Sequence, residues 1–454
     1  MKKKKLLFWL IGIVMVISLA LAVAVHKLGL DGASAELENQ LRLARQEGLA
    51  VEPEDLQRPP VPVDQNAAYA ILNAFDAAKK LPDNPLGVVT DSHEKKPSDD
   101  QIRIALKQLE PILKVIDEVS HRPHFDLRWD WNTGREMAFP EFEAVRRLNR
   151  CLLKQAHIGI ADGRFIDAGE WLLASANLSR LLSEQTTNYS FYLRIRTESS
   201  ALAELESLLR RAPKDRRYIQ TSRRVLAALG SIPDLRATLG TDLVMDRIFY
   251  HQAPYWNEMH STSSSDTLIG GPATYLLRFK SVADLNDANL VKSTRAAYNL
   301  FPKDATEYLV ARKALRAMPN DEGSSTDPEG LVRGVEDLGH LLSTFTFDSR
   351  DLDGWARCIA RRRVFAAGVD ILDQALKTGA FPITWVKSGP EGIDPFSDKP
   401  LIYRRTKNGF VIYSLDVDQK DDGGRPYARG TGSDNTLDIS FEYPKLSVDP
   451  KAKR

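Results

Sequence analysis

The stretch KQAHIGIADGRFIDAGEWLLASANLSRL, residues 154–181, decides the fold class. Apolar side chains recur at helical spacing on both sides of Asp162-Gly163, and glycine commonly follows the end of a helix. The stretch therefore predicts two helices joined by a tight turn. The same period dominates residues 141–229, which predicts a body that is mainly α-helical.

Further helical periods lie on both sides of this stretch. Apolar stripes predict helices over residues 36–47, 66–78, 98–116, 215–229, 234–250, 282–299, 304–318, 328–344 and 352–376. Ser98 and Gln101 have the spacing of a capping box. Pro111 is expected to kink or divide the helix that follows, because proline removes a backbone donor. Proline and polar residues predict a loop at 81–97, and two tryptophans among charges at 123–139 indicate an irregular packed loop.

The character of the sequence changes after Gly379. Short apolar runs bounded by Gly, Pro, Asp and Asn predict strands at 381–386, 401–404, 410–415 and 437–443. In the last run Leu437, Ile439, Phe441 and Tyr443 alternate with polar residues, which is typical of a half-buried strand. We therefore expect a small β-rich module at residues 380–447.

The first residues of the chain have the pattern of a membrane segment. Lys2 to Lys5 precede Leu6 to Val25, about twenty residues without a charge, which is long enough to span a bilayer. Lysines on the leading side favour an N-terminus inside the cell and a body outside the cytoplasmic membrane. The alternative is a cleavable signal peptide with a cleavage point after Ala35; in both cases the body is exported.

These patterns divide the chain into five parts. Residues 1–30 are the cytoplasmic lysines and the transmembrane anchor, and residues 31–62 are a stalk helix with a proline-rich joint. Residues 63–379 form the helical body, residues 380–447 the β-rich module, and residues 448–454 a tail. The single-pass anchor makes the lipid bilayer the first predicted partner, through Leu6 to Val25.

Composition excludes several classes of protein. The 62 basic and 61 acidic residues give a net charge of +1, which argues against a nucleic-acid binder. Cys151 and Cys358 are the only two cysteines, too few for a disulfide framework or a cysteine-built zinc site. Both lie in apolar, helical surroundings, which favours buried thiols over a disulfide between them.

Two regions resemble a family of uncharacterised, membrane-anchored bacterial proteins. The first runs from Arg45-Gln-Glu-Gly48 through Pro53-Glu-Asp-Leu56 and Pro59-Pro-Val-Pro62 to Asn66-Ala-Ala68. The second is the helical stretch 178–229, with its rhythm of arginines and leucines. The resemblance implies a membrane anchor and brings no activity with it.

The C-terminal residues resemble the end of type II secretion major pseudopilins. The likeness is carried by Asp394-Pro-Phe-Ser-Asp-Lys-Pro-Leu401, by Gly409-Phe-Val-Ile-Tyr-Ser-Leu415 and by Asp421-Asp-Gly-Gly424. It implies a calcium site made by the carbonyl of Leu415 and the carboxylates of Asp418, Asp434 and Asp438. Asp416 and Gln419 stand where that family has glycines. The N-terminus lacks the Gly-Phe cleavage site and early glutamate of a pseudopilin, so only the C-terminal module carries the likeness.

The residues alone also favour calcium in this region. Calcium prefers six to eight oxygen ligands, and six aspartates lie in and around this glycine-rich turn. The alternative is a solvated acidic turn that holds no ion.

No catalytic motif stands out in the sequence. There is no Gly-x-Ser-x-Gly elbow, no His-Glu-x-x-His and no Walker loop. The sequence therefore predicts a non-enzymatic structural or interaction role, with protein partners in the cell envelope. The alternative is an exported hydrolase whose site is assembled from distant residues of the helical body.

Overall fold

The computed structural model describes residues 32–91, 97–136, 139–252, 280–317, 349–425 and 437–444. Over these residues the chain forms twelve helices and two small antiparallel sheets near its end. The helices are α1 (Ala33–Gln46), α2 (Ala68–Lys79), α3 (Pro85–Thr90), α4 (Asp99–Ser120), α5 (Pro140–Ala161), α6 (Phe165–Leu181), α7 (Asn188–Arg211), α8 (Arg216–Ala228), α9 (Leu235–Gln252), α10 (Lys280–Leu300), α11 (Tyr308–Ala317) and α12 (Ser349–Thr378). The prediction of a mainly α-helical chain with a small C-terminal sheet is confirmed.

The predicted helical hairpin is formed by α5 and α6. Gly163 adopts a left-handed conformation with φ of +75°, which ends the first helix as a glycine can. The backbone N–H of Arg164 then donates to the carbonyl of Gly159 at 2.8 Å. A Cβ atom on Gly159 would lie 3.2 Å from the Cβ of Ala168, so a small residue at both positions lets the two helices approach closely.

Helix α4 begins as predicted and continues further than expected. The Ser98 hydroxyl accepts from the backbone N–H of Gln101, and the Gln101 side chain accepts from the backbone N–H of Ser98, which completes the capping box. Pro111 lies inside this 22-residue helix, which it does not divide. Of the two expected effects of Pro111, division of the helix was wrong, since the apolar stripe from Ile102 to Val119 stays buried on both sides of the proline. A kink at Pro111 stays a prediction.

Two sequence predictions on local structure are corrected. Residues 81–97 were expected to be a loop, but α3 lies within them because Asn84 caps it, accepting from the N–H of Gly87 at 3.1 Å. Residues 381–386 were expected to be a strand, but they form none and pair with none of the described strands. Phe381 and Trp385 instead pack on a core cluster, and Tyr403 donates to the carbonyl of Pro382.

The core consists of three clusters of buried side chains that share helices. The first lies among α2 to α7, the second joins α5 to α8 and α12 to the sheet, and the third joins α1, α7, α9, α10, α11 and α12. Helix α12 supplies Trp355 and Ile359 to the third cluster and Phe365 and Ile371 to the second. It is buried on several sides, so it holds the helical body and the sheet together.

The C-terminal strands pack directly against α12. Strands β1 (Ile393–Asp394) and β2 (Lys399–Pro400) form a short hairpin, and β3 (Ile402–Arg405), β4 (Phe410–Ser414) and β5 (Ile439–Tyr443) form an antiparallel sheet in that order. Ile412 is paired with Phe441, and both are buried in the second cluster. The predicted strands at 401–404, 410–415 and 437–443 are therefore present.

Helix α1, in the segment predicted to be a stalk, lies against α10. Ala33 and Ala44 are buried, and Arg295 of α10 donates to both carboxylate oxygens of Glu47. Arg247 of α9 forms a two-point ion pair with buried Asp287. The residues just after the predicted anchor thus make specific contacts with the helical body, while the five-part division of the chain stays a prediction.

The predicted membrane segment, Leu6 to Val25, lies outside the described residues, as does the predicted helix at 328–344. Among the helices that are described, none has both the length and the apolar character needed to cross a bilayer. Cys151 and Cys358 are both buried free thiols.

Candidate calcium-binding loop

The loop that follows β4 has the backbone conformation of a tight turn. Asp416 has φ of 56° and Gln419 has φ of 58°, the left-handed region that usually favours glycine. These are the two positions at which the pseudopilin pattern has glycines. The loop therefore adopts left-handed conformations at both positions with non-glycine residues.

Contacts from the helical body and the β1–β2 hairpin hold these residues in place. Nε of Arg357, on α12, donates to Oδ1 of Asp416 at 2.8 Å. Nη1 of Arg312, on α11, donates to the carbonyl of Val417 at 3.1 Å. Nε2 of Gln419 donates to the carbonyl of Phe396 at 2.6 Å. Each contact fixes the backbone or a side chain of the loop, which compensates for the strain of the left-handed residues.

Asp416 is committed to this support. Burial raises its pKa above the ordinary value, although the Arg357 guanidinium acts in the opposite direction. Its carboxylate faces a cation, as a buried charge requires. Asp416 therefore has a structural role in the loop, and is not one of the predicted calcium ligands.

Asp394 connects the β1–β2 hairpin to the start of the same loop. Its buried carboxylate accepts from the backbone N–H of Phe396 at 3.1 Å and from the hydroxyl of Ser414 at 2.6 Å. It also accepts from the hydroxyl of Ser397 and from the backbone N–H of Leu415 at 3.3 Å. Asp394 thus fixes Leu415, whose carbonyl is a predicted ligand. Asp394 belongs to the stretch that resembles pseudopilins, but its residue pattern indicated no role for it.

Asp438 is the most distinctive of the predicted ligands. It is only 1% exposed, and its Oδ2 accepts from the backbone N–H of Gly424 at 2.8 Å. Its Oδ1 has no hydrogen-bond donor among the described residues. Burial raises the pKa of Asp438 to about 6. Backbone hydrogen bonding from Gly424 and Asp422 opposes this effect, and the charges of Asp422 and Asp421 add to it. A buried carboxylate oxygen of this kind needs a proton or a cation.

Three other acidic residues of the turn, Asp418, Asp421 and Asp434, differ in their surroundings. Asp421 accepts from the Tyr413 hydroxyl at 2.8 Å and from Arg404 at 2.7 Å, so its carboxylate is engaged by the sheet. Asp418 is half-buried, and its Oδ1 accepts from the backbone N–H of Lys420 at 3.1 Å. Asp434 lies outside the described residues.

The described residues include three of the four predicted calcium ligands, Leu415, Asp418 and Asp438. Within them, no three carboxylate, histidine or cysteine side chains are grouped closely enough to hold a metal ion. Leu415 and Asp418 lie in the loop after β4, and Asp438 directly precedes β5, which is paired with β4. Oxygen donors of this type suit calcium, and the complete predicted set requires Asp434. The prediction of calcium therefore stays a prediction, with the orphaned oxygen of Asp438 in its favour.

Comparisons with family models, with curated proteins and with solved structures found no match to this chain.

Proposed function

We propose that this chain is a single-pass protein of the cytoplasmic membrane, with its N-terminus inside and its body outside, and that it has a non-enzymatic structural or interaction role. Leu6 to Val25 would be the anchor, and the C-terminal sheet would bind calcium. The observation that carries the calcium part is the buried Oδ1 of Asp438, which has no donor among the described residues. An exported hydrolase is the alternative.

The packing of α1 supports an anchor that is retained. Ala33 is buried, and the Ser34 hydroxyl donates to Asp284 of α10, which also accepts from Lys280 at 2.5 Å. Cleavage after Ala35 would remove both Ala33 and Ser34 from the folded protein. Their contacts with α10 therefore favour a chain that keeps its first 35 residues.

The segment between the predicted anchor and α1 is short, and it would therefore place one end of the helical body near the bilayer. Seven residue steps separate Val25 from Gly32, a span of no more than about 25 Å when fully extended. The first turn of α1 and the start of α10 would lie within that distance of the membrane surface. This geometry suits a protein that presents its helical body beside the membrane to partners in the cell envelope.

The membrane part of the proposal is tested by topology. A phosphatase that is active only outside the cytoplasm is fused after residue 31, and a cytoplasmic reporter is fused at the same position. We expect activity from the first fusion only. We also expect the intact protein in the membrane fraction, with Lys2 to Lys5 still present when the chain is analysed by mass spectrometry. Activity of the cytoplasmic reporter alone, or intact protein in the soluble cytosol, contradicts the anchor.

The calcium part is tested on the full chain in detergent. The melting temperature is followed in EDTA, in magnesium and in calcium. Calcium is expected to raise it, because an ion that binds only the folded state stabilises that state. Asp438→Asn is expected to remove the response.

Asp421→Asn is the matched control for this measurement. Asp421 lies in the same turn, but its carboxylate is engaged by Tyr413 and Arg404. We expect the control variant to keep the response to calcium. A melting temperature of the unmodified chain that does not change in millimolar calcium contradicts the site.

A further inference from the structure

A polar cavity lies away from the calcium loop, at the edge of the first core cluster. Its volume is about 330 Å³, and its walls come from residues 56–58, from Asp126 and residues 128–131, and from residues 184–186. This volume is at the lower end of the range of roughly 300–1,000 Å³ for small-molecule pockets. Three segments that are distant in sequence therefore meet around a space that one or two sugar rings could fill.

Buried amides fix the walls of this cavity. Asn66 is 4% exposed, and its side chain makes two bonds to the backbone of Asp126, donating to the carbonyl at 2.8 Å and accepting from the N–H at 3.0 Å. The side chain of Gln185, also buried, donates to the carbonyl of Phe125. Arg180 donates to the carbonyl of Arg122 at 2.8 Å. The segment that carries the cavity wall is thus held in place before any ligand arrives.

The charges that line the cavity are paired with one another. Nη1 of Arg58 lies 3.5 Å from Oε2 of Glu184, and Nε of Arg128 lies 2.9 Å from Oδ2 of Asp126. With Asp130 included, the lining has two cationic and three anionic side chains. The cavity has no cationic excess that would select an anion, but it offers both N–H donors and carboxylate acceptors. This combination suits hydroxyl groups, which donate and accept at the same atom.

Two tryptophans add an apolar part to the same wall. The rings of Trp129 and Trp131 meet edge to face, with centroids 5.3 Å apart, and both residues line the cavity. Trp129 is fixed from behind by Phe139 and Phe142. Rigid aromatic side chains next to planar polar groups suit a ligand that has an apolar C–H face and a polar rim.

The backbone beside these residues is in a conformation that costs free energy. Arg128 has φ of 53°, a left-handed conformation that is uncommon outside glycine. Asp126 stabilises this conformation by accepting from the backbone N–H of Arg128 at 3.1 Å. Strain of this kind is concentrated at sites that hold a side chain in a functional position.

We propose that this cavity binds a neutral, hydroxyl-rich saccharide of one or two rings. Arg58, Glu184, Asp126 and Arg128 donate to and accept from its hydroxyls, and a tryptophan contacts its C–H face. This site is separate from the calcium loop and goes beyond the proposed function. It would give an envelope protein a means to hold a glycan.

The test is saturation-transfer NMR on the full chain in EDTA, in a detergent without a sugar headgroup. The probes are cellobiose, N,N′-diacetylchitobiose, and the pair methyl β-glucoside and methyl β-glucuronide. We expect signal transfer to at least one neutral saccharide, and weaker binding of the glucuronide than of the glucoside. No transfer to any neutral probe, or tighter binding of the glucuronide, overturns the proposal.

Two variants connect the signal to the cavity. Arg58→Gln removes the guanidinium charge and its forked donors and is expected to weaken binding by about tenfold or more, the effect of losing a charged hydrogen bond. Arg224→Gln is the control, because Arg224 and Glu170 form a comparable exposed ion pair between α8 and α6. Equal binding by both variants overturns the proposal. Protection of Trp131 from hydroxyl-radical labelling by cellobiose tests the site in the unmodified chain, and unchanged labelling counts against it.

Discussion

Gly368 of α12 and Phe441 of β5 lie so close that a Cβ atom on residue 368 would be 2.6 Å from Cδ1 of the phenylalanine ring. The ring is buried, and it also meets Phe365 edge to face at 5.5 Å. The third strand of the sheet therefore packs against the helix at a position where only glycine leaves room. The sheet and the helical body share one core through this contact.

This contact predicts the effect of a single methyl group. Gly368→Ala is expected to destabilise the protein by about 1–3 kcal/mol, because overpacking moves a buried ring or the helix. Chemical unfolding of the full chain, followed by circular dichroism, measures this change in the free energy of unfolding.

Gly354→Ala in the same helix is the matched control. A Cβ atom there would have nothing within 4 Å, and alanine favours a helix over glycine. We expect this variant to be more stable by about 0.5–1 kcal/mol. Equal effects of the two substitutions would show that the Phe441 ring leaves room for a methyl group at residue 368.

A second prediction concerns the ion pair at the α5–α6 turn. Arg103 of α4 donates to both carboxylate oxygens of Asp162, at 2.6 and 2.8 Å, and this hydrogen bonding holds the pKa of Asp162 at about 2. A pKa below the ordinary value of 3.8 means that the pair stabilises the fold above that pH and is lost as the pH falls toward 2.

Asp162→Asn is therefore expected to lower the melting temperature at neutral pH, with a difference from the parent that shrinks steadily in acid. Asp167→Asn is the control. Oδ2 of Asp167 lies 3.8 Å from Nη1 of Arg164, in an exposed ion pair that should contribute little to stability. Thermal melts at a series of pH values measure both. If the melting temperature of Asp162→Asn stays below that of the parent by a constant amount down to about pH 2, the prediction is contradicted.

The third prediction concerns the buried ion pair between α7 and α12. Glu198 is almost fully buried and accepts two bonds from Arg362, one of them at 2.6 Å, as well as one from the thiol of Cys358. Glu198→Ala leaves the Arg362 charge buried without its partner and is expected to cost about 3–5 kcal/mol. The free energy of unfolding in denaturant gives the value.

The double variant Glu198→Leu with Arg362→Met tests the mechanism. Replacing both charges with apolar groups of similar size removes the unpaired cation, so most of the lost stability should return. If the double variant is as unstable as Glu198→Ala, the cost comes from packing and not from the buried charge.

The fourth prediction concerns the two thiols. Burial raises the pKa of Cys151 to about 12 and raises that of Cys358 well above its ordinary value, so neither is a thiolate at neutral pH. Both should therefore react slowly with Ellman's reagent in the native protein and rapidly in guanidinium. Fast reaction of the native chain would contradict this prediction. A disulfide between the two cysteines, seen as a mass two hydrogens lower after mild oxidation, would contradict it as well.

Much of the fold could be predicted because local patterns agreed with tertiary packing. The α5–α6 hairpin was visible from a helical period interrupted by Gly163, whose left-handed conformation ends the helix. Helix α3 was missed because its six residues show too little periodicity, and its start depends on Asn84 in a left-handed conformation. The expected strand at 381–386 has the right residue types, but strand pairing is a tertiary property that its sequence does not contain.

The candidate sites were predicted less well for the same reason. The acidic turn after β4 was found from its composition. The role of Asp394, however, depends on hydrogen bonds from Ser414 and Leu415, which lie 20 and 21 residues away in the sequence. The cavity walls come from three segments that meet only in the fold. Trp129 and Trp131 among charges were the only signal of the cavity, and the pattern indicated no more than a packed loop.

The position of β5 has a consequence for the order in which this protein can mature. Ribosomes make β5 after every other described element, yet Phe441 and Tyr443 fill the same core as α6, α7, α8 and α12. Nascent chains that end before this strand would leave that core open. A chain truncated before residue 437 should therefore be recognised by quality-control proteases, whereas the full-length product should resist them.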